Sequence, residues 1–171
     1  MKRRSLLKSL SASVGVLLVM PAWANHWNLQ SVDIQTAFLN LEQANILSEM
    51  VSAIIPEGQI QGAKSLGVPA FIEKMIKDCY EKNAQDDFKN GLENIETLSN
   101  GDYNQAFTNL PVSQKQELLK KMETSTDTKQ KEFYGLVKNL TIQGYTTSEY
   151  VMVNYLKYEM APGHYYGCVN V

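Results

Sequence analysis

The sequence predicts an all-α protein: one compact multi-helix domain, residues 25–171, behind a cleavable signal peptide, residues 1–24. Three observations lead there. Apolar residues recur at three- and four-residue spacing through the later chain, alternating strand patterns are essentially absent, and proline and glycine fall at helix boundaries.

Asn40 opens the first helix, with Leu41, Ala44, Leu47, Val51 and Ile54 on one face and Gln43 placed to complete a capping box. Ile54-Ile55-Pro56 closes it, because the residue before proline is pushed out of the α region. Glu57 to Val68, with Gly58, Gly62 and Gly67, reads as a flexible turn. Pro69 suits the first turn of the next helix, where its missing N–H costs nothing; Phe71, Ile72, Met75, Ile76 and Cys79 line its inner face. A third helix spans Asp86 to Leu98, with Phe88, Leu92, Ile95 and Leu98 as its apolar set and Gly101 beyond its end. Phe107 and Leu110 form a packed turn before Pro111. Residues 113–123 make a lysine-rich helix over Leu118, Leu119 and Met122, and Thr124 to Thr128 is a polar break. Phe133, Leu136, Val137 and Leu140 mark another helix ending at Gly144. Ser148 or Thr147 caps the last, with Val151, Met152, Tyr155 and Leu156 inward, and Ala161 to Val171 is an irregular tail.

The amino terminus has the order of an export signal. Arg3 and Arg4 precede Leu6, Leu7 and Lys8, Ser9 to Met20 is weakly apolar, and Ala22 and Ala24 flank Trp23 as a small-residue cleavage site. The arginine pair with its following leucines favours the twin-arginine route, read by the twin-arginine translocase; a Sec signal that happens to hold two arginines is the alternative. The apolar stretch falls short of the roughly 20 residues that span a bilayer. The expected location is therefore the periplasm.

Removing residues 1–24 takes away Lys2, Arg3, Arg4 and Lys8 and leaves twelve cations against 18 acids, a formal net charge of −6. No arginine remains to clamp phosphates bidentately, and the charge has the wrong sign for nucleic acid. Cys79 and Cys168 are the two cysteines. In an oxidising compartment an isolated pair more often bonds than stays free, and closing so long a loop stabilises by about 4–5 kcal/mol in the chain-entropy model. Two unrelated buried thiols are the alternative.

Nothing in the chain reads as catalytic, cofactor-binding or metal-ligating. The two histidines are His26, beside the cleavage site, and His164. No G-x-S-x-G elbow is present; His164 with Cys168 falls short of the four ligands of structural zinc; and the glycines at 58, 62 and 67 fit no phosphate-loop spacing. Asp86-Asp87 and Glu93/Glu96 read as a solvated face. Tyr145, Tyr150, Tyr155, Tyr158, Tyr165 and Tyr166 crowd the last part of the chain, where packing is the plain explanation and an interface the second.

Ile54-Ile55-Pro56, Gly62-Ala63, Gly67-Val68-Pro69, Phe71-Ile72 and Asp78-Cys79-Tyr80 resemble the small-subunit family of gluconate 2-dehydrogenase (subunit 3). So do Leu140-Thr141, Gly144-Tyr145, Thr147-Ser148-Glu149 and the run from Pro162 to Cys168. The resemblance covers the chain from Leu39 to its end and departs at Gln61 and Thr146, both loop or cap positions. It implies a cofactor-free small subunit of a periplasmic dehydrogenase acting on sugars or sugar acids. The partner it implies carries FAD in a glucose-methanol-choline-type fold, with a multi-haem cytochrome c often taking the electrons, and the complex is membrane-associated. It further implies that the small subunit assists folding of the flavoprotein and carries it through the twin-arginine pathway, and it supports the Cys79–Cys168 pairing. The alternative is a stand-alone periplasmic helical binding or stress protein; an independent hydrolase or metalloenzyme lacks the residues.

Overall fold

The computed structural model describes residues 38–159, so the signal residues Arg3, Arg4, Leu6, Leu7, Ala22 and Ala24, both histidines and Cys168 lie outside the described residues. Among the described residues the chain forms six α-helices and no strand. They are α1 (Leu41–Ile54), α2 (Val68–Cys79), α3 (Lys82–Tyr103), α4 (Val112–Glu123), α5 (Thr128–Thr146) and α6 (Glu149–Asn154), with a 3₁₀ turn at Phe107–Asn109.

Helix α1 sits at the centre and packs against α2, α3, α4, α5 and the 3₁₀ turn. Its start is the capping box read from the sequence: Asn40 Oδ1 accepts the Gln43 N–H at 2.7 Å, and Gln43 Oε1 accepts the Asn40 N–H at 3.2 Å. Ile46, Leu47, Met50, Val51 and Ala53 are buried along it. Around them close Ile72 and Ile76 of α2, Phe88, Leu92 and Ile95 of α3, Leu118 and Met122 of α4, and Val137 and Leu140 of α5. Burying each of the larger side chains stabilises by about 1.5–3 kcal/mol. Leu41 was expected on this inner face but is 79% exposed, because it precedes the turns that the neighbours cover. Leu39, one residue before the cap, takes the buried place instead and donates its N–H to Glu73 Oε1 at 3.2 Å.

Helix α3 begins at Lys82, four residues before the expected Asp86, and three C-terminal helix ends also differ from the sequence expectation. Helix α3 runs through Gly101 to Tyr103, and Asn104 supplies the left-handed terminating residue at φ 56°. Helix α5 runs past Gly144, which is buried against α2: a Cβ there would stand 2.7 Å from the Phe71 ring and 3.1 Å from Val68. That glycine serves close packing of two helices. Gly91 does the same between α3 and α5, where a Cβ would overlap the Phe133 ring. Helix α6 starts at its Ser148 cap as expected but ends at Asn154, so Tyr155 and Leu156 do not continue its inner face and are 52% and 60% exposed.

The lysine-rich helix α4 holds a surprise for sequence reasoning. Lys115 is only 5% exposed. Its ammonium donates to Glu49 Oε2 of α1 at 2.6 Å and to the Thr108 carbonyl at 3.1 Å, and Glu49 also pairs with Lys64 at 2.8 Å. One carboxylate thus ties α1 to α4 and to the loop before α2. Burial raises the Glu49 pKa, but the hydrogen bonds and charges of Lys115 and Lys64 outweigh it and hold the group below its ordinary 4.5. Folding depresses this pKa, so the contribution is complete above about pH 4.5 and is lost as pH falls through the folded value. Glu49→Gln is expected to cost about 1–3 kcal/mol at neutral pH by leaving Lys115 under-bonded, and to flatten the loss of stability in acid. Urea unfolding at neutral pH and at about pH 4 reads both effects; equal acid sensitivity in the two proteins would contradict the assignment.

Candidate docking surface

The segment between α1 and α2, expected to be a flexible turn, is held by its own hydrogen bonds. The Glu57 carboxylate accepts the Gly62 N–H at 2.7 Å and the Ser65 N–H at 3.2 Å. The Ala63 N–H reaches the Ile55 carbonyl at 3.2 Å, the Val68 N–H reaches the Ala63 carbonyl at 3.2 Å, and the Ala63 methyl is fully buried. The Gly62 N–H, helped by the Ser65 donors and against the opposing effect of desolvation, holds the Glu57 carboxyl below its ordinary range. Gly67 at φ 75° then turns the chain into α2 in a conformation that favours glycine. The outer edge, Glu57 to Gln61, is exposed and carries Ile60 at its tip.

This loop meets the tyrosine-rich end of the chain. The Tyr145 hydroxyl donates to the Gln61 carbonyl at 3.1 Å. The Tyr150 and Tyr155 rings stand edge to face, 5.8 Å between centroids. The Tyr155 hydroxyl is pushed above its ordinary value first by its hydrogen bond with Tyr150, then by burial and by the nearby hydroxyls of Tyr150 and Tyr145. Three of the tyrosines singled out in the sequence therefore lie near one another, and Tyr145 ties them to the loop. Ile142, Val153, Leu156 and Tyr158 are exposed on α5, α6 and the chain that follows. Side chains of this kind, large and amphipathic or apolar, are those that carry binding energy at protein interfaces.

The second feature is an open groove of ≈ 440 Å³ between α3 and α5, floored by Phe88, Phe133, Met122 and Leu136. Asp87, Asp127 and Glu132 rim it, and Lys129 pairs with Asp87 at 3.6 Å. Among the described residues no set of three His, Cys, Asp or Glu side chains is grouped to hold a metal, and no helix is long and apolar enough to cross a membrane. Of the carboxylates expected to lie on solvated faces, Asp86 pairs with Lys82 at 2.9 Å and Glu93 accepts from the buried Gln43 amide at 3.1 Å.

The family model described as Gluconate 2-dehydrogenase subunit 3 matches residues 41–163. The chain belongs to that family. The match starts at the first residue of α1 and takes in all six helices, including the ordered loop and the tyrosine cluster. No curated protein and no solved structure matches the chain. The family's membership in a gluconate dehydrogenase complex puts weight on the exposed apolar end of this subunit rather than on its groove. Cys79, expected on the inner face of α2, is exposed: it lies in the Phe71–Met75 row, one step round the helix from the buried row of Val68, Ile72 and Ile76.

Replacing Glu57 by Ala should release the Gly62 and Ser65 amides, so that both exchange with solvent severalfold faster while the midpoint of global unfolding stays unchanged. Acidification should lower the protection factors of the same two amides in the native loop, measured against their intrinsic exchange at each pH, since protonation removes the acceptor charge. Unchanged exchange at both amides would show that the loop is held by other means.

Proposed function

We propose that this chain is the non-catalytic small subunit of a periplasmic, FAD-dependent dehydrogenase of gluconate or a related sugar, and that it works by binding the flavoprotein. Family membership carries the proposal. It is supported by the run of exposed Val153, Tyr155, Leu156 and Tyr158 on α6 and the residues that follow it. Obligate interfaces bury more than roughly 2,000 Å² in total, and this patch with the Ile60 loop offers the apolar centre of one. FAD belongs to the partner, a glucose-methanol-choline-type subunit, and haem c to a cytochrome subunit where one completes the complex.

The subunit assists folding of the flavoprotein by covering an apolar face of it, and the twin-arginine signal at Arg3 and Arg4 takes the folded pair across the membrane together. The complex then resides in the periplasm, associated with the membrane through its assembly.

Arg3→Lys with Arg4→Lys should leave the flavoprotein in the cytoplasm, measured as flavin-dependent dye reduction in separated periplasmic and cytoplasmic fractions. Flavoprotein activity still recovered from the periplasm of that strain would overturn co-export. In the mature subunit, Val153→Asp with Leu156→Asp should weaken capture of the flavoprotein by about tenfold or more with the helical spectrum unchanged; undiminished capture would move the interface elsewhere.

A further inference from the structure

The groove between α3 and α5 follows a long stretch of helix. Its α3 wall is Ala84, Asp87, Phe88, Asn90, Gly91 and Asn94, one continuous face at three- and four-residue spacing that spans about 15 Å. The floor is apolar: Phe88, Met122 and Phe133 are buried beneath it. Gly91 lets Phe133 settle against the α3 backbone, since a Cβ there would stand 2.2 Å from the ring. A glycine inside a helix costs about 0.5–1 kcal/mol, and here it keeps the ring down on the floor. The rim is acidic. Among the lining residues Asp87, Asp127 and Glu132 stand against one cation, Lys129. Its 3.6 Å pair with Asp87 joins side chains that are 85% and 65% exposed, so it holds the rim closed only weakly. Asp127 caps α5 by accepting the Lys129 N–H at 3.0 Å, so the amino end of that helix is already answered and does not call for an anion. The Glu132 carboxylate and the side-chain amides of Asn90 and Asn94 have no hydrogen-bond partner among the described residues.

We propose that this groove seats a basic amphipathic helix of a partner polypeptide. Its apolar row lies on Phe88, Phe133 and Leu136, and its lysine or arginine side chains reach Asp87 and Glu132 at the rim. Length favours a helix, because a wall of about 15 Å matches about three turns. Shape favours it too, since an apolar row at three- and four-residue spacing fills a groove of this kind, and ≈ 440 Å³ leaves room for its side chains. Charge selects the basic kind: an incoming cation gives Glu132 a partner and displaces Lys129 from Asp87 at little cost. The occupant is defined by its chemistry, so the proposal holds whether or not the flavoprotein brings it.

The probe is a helix-stapled peptide of leucine and lysine, about 12 residues long, with a photoreactive phenylalanine analogue in its apolar row; its twin carries glutamate in place of lysine. Fluorescence anisotropy with the purified mature chain should show binding of the lysine peptide. Asp87→Lys with Glu132→Lys should weaken it about tenfold or more, whereas Glu42→Lys with Asp78→Lys, an equal charge change at exposed positions of α1 and α2, should leave it unchanged. Photocrosslinks should fall on the α3 and α5 segments that hold Gly91, Phe133 or Leu136. The neutral pair Asp87→Asn with Glu132→Gln keeps each side chain's size and should weaken binding about threefold, which serves where the reversed pair does not fold. Equal weakening by both reversed pairs, equal binding of the glutamate peptide, crosslinks confined to α6 or the α1–α2 loop, or no binding at all would overturn the proposal.

Discussion

The fold depends on covering α1 from several sides at once. A helix that only leaned on one neighbour could show a single apolar stripe, but Gln43, Ile46, Leu47, Met50, Val51 and Ala53 are all buried and point into more than one layer. Four helices and the 3₁₀ turn must therefore assemble round it. Its polar groups are answered as well. Gln43 reaches Glu93 of α3, Glu49 holds Lys115 of α4, and the Ala53 carbonyl accepts from the Gln116 amide at 3.1 Å. An unanswered group at any of these places would cost about 1–3 kcal/mol, so the central helix fixes the register of its neighbours by bonds as well as by packing.

What this leaves for the outside is uneven. Apolar residues at the middle of the bundle are consumed by the core, whereas the α1–α2 loop, α6 and the residues after it keep Ile60, Val153, Tyr155, Leu156 and Tyr158 in solvent. The loop is stiffened by Glu57 and pinned by Tyr145, which pre-organises a surface that would otherwise lose entropy on binding. A subunit of a dehydrogenase complex with its apolar residues so distributed has the form of a binding partner.

The sequence made the helices legible wherever their signals were local. The Asn40–Gln43 box, Pro56, Pro69 and the Ser148 cap each act within a few residues, and each stands where the pattern put it. Glycine misled because its local and long-range uses look alike in one dimension: Gly144 reads as a terminator, but it is the place where Phe71 crosses. Lys115 was invisible as a core residue because its partner Glu49 is 66 positions away. Cys79 was placed on the inner face by a spacing that is one helical row too wide. The docking end was half legible, since tyrosine density marked the region while the meeting of Tyr145 with Gln61 needed the folded chain. The bond uses the Gln61 carbonyl, which any residue there would supply.

The central claim is that the chain acts by holding a flavoprotein. The direct measurement is the mass and visible spectrum of the tagged mature subunit purified from its native periplasm, by size-exclusion chromatography with light scattering. The account predicts one peak, heavier than this chain by a full partner subunit and carrying flavin absorbance in stoichiometric amount. A colourless peak at the mass of the subunit alone, unchanged after mild crosslinking before lysis, would contradict it.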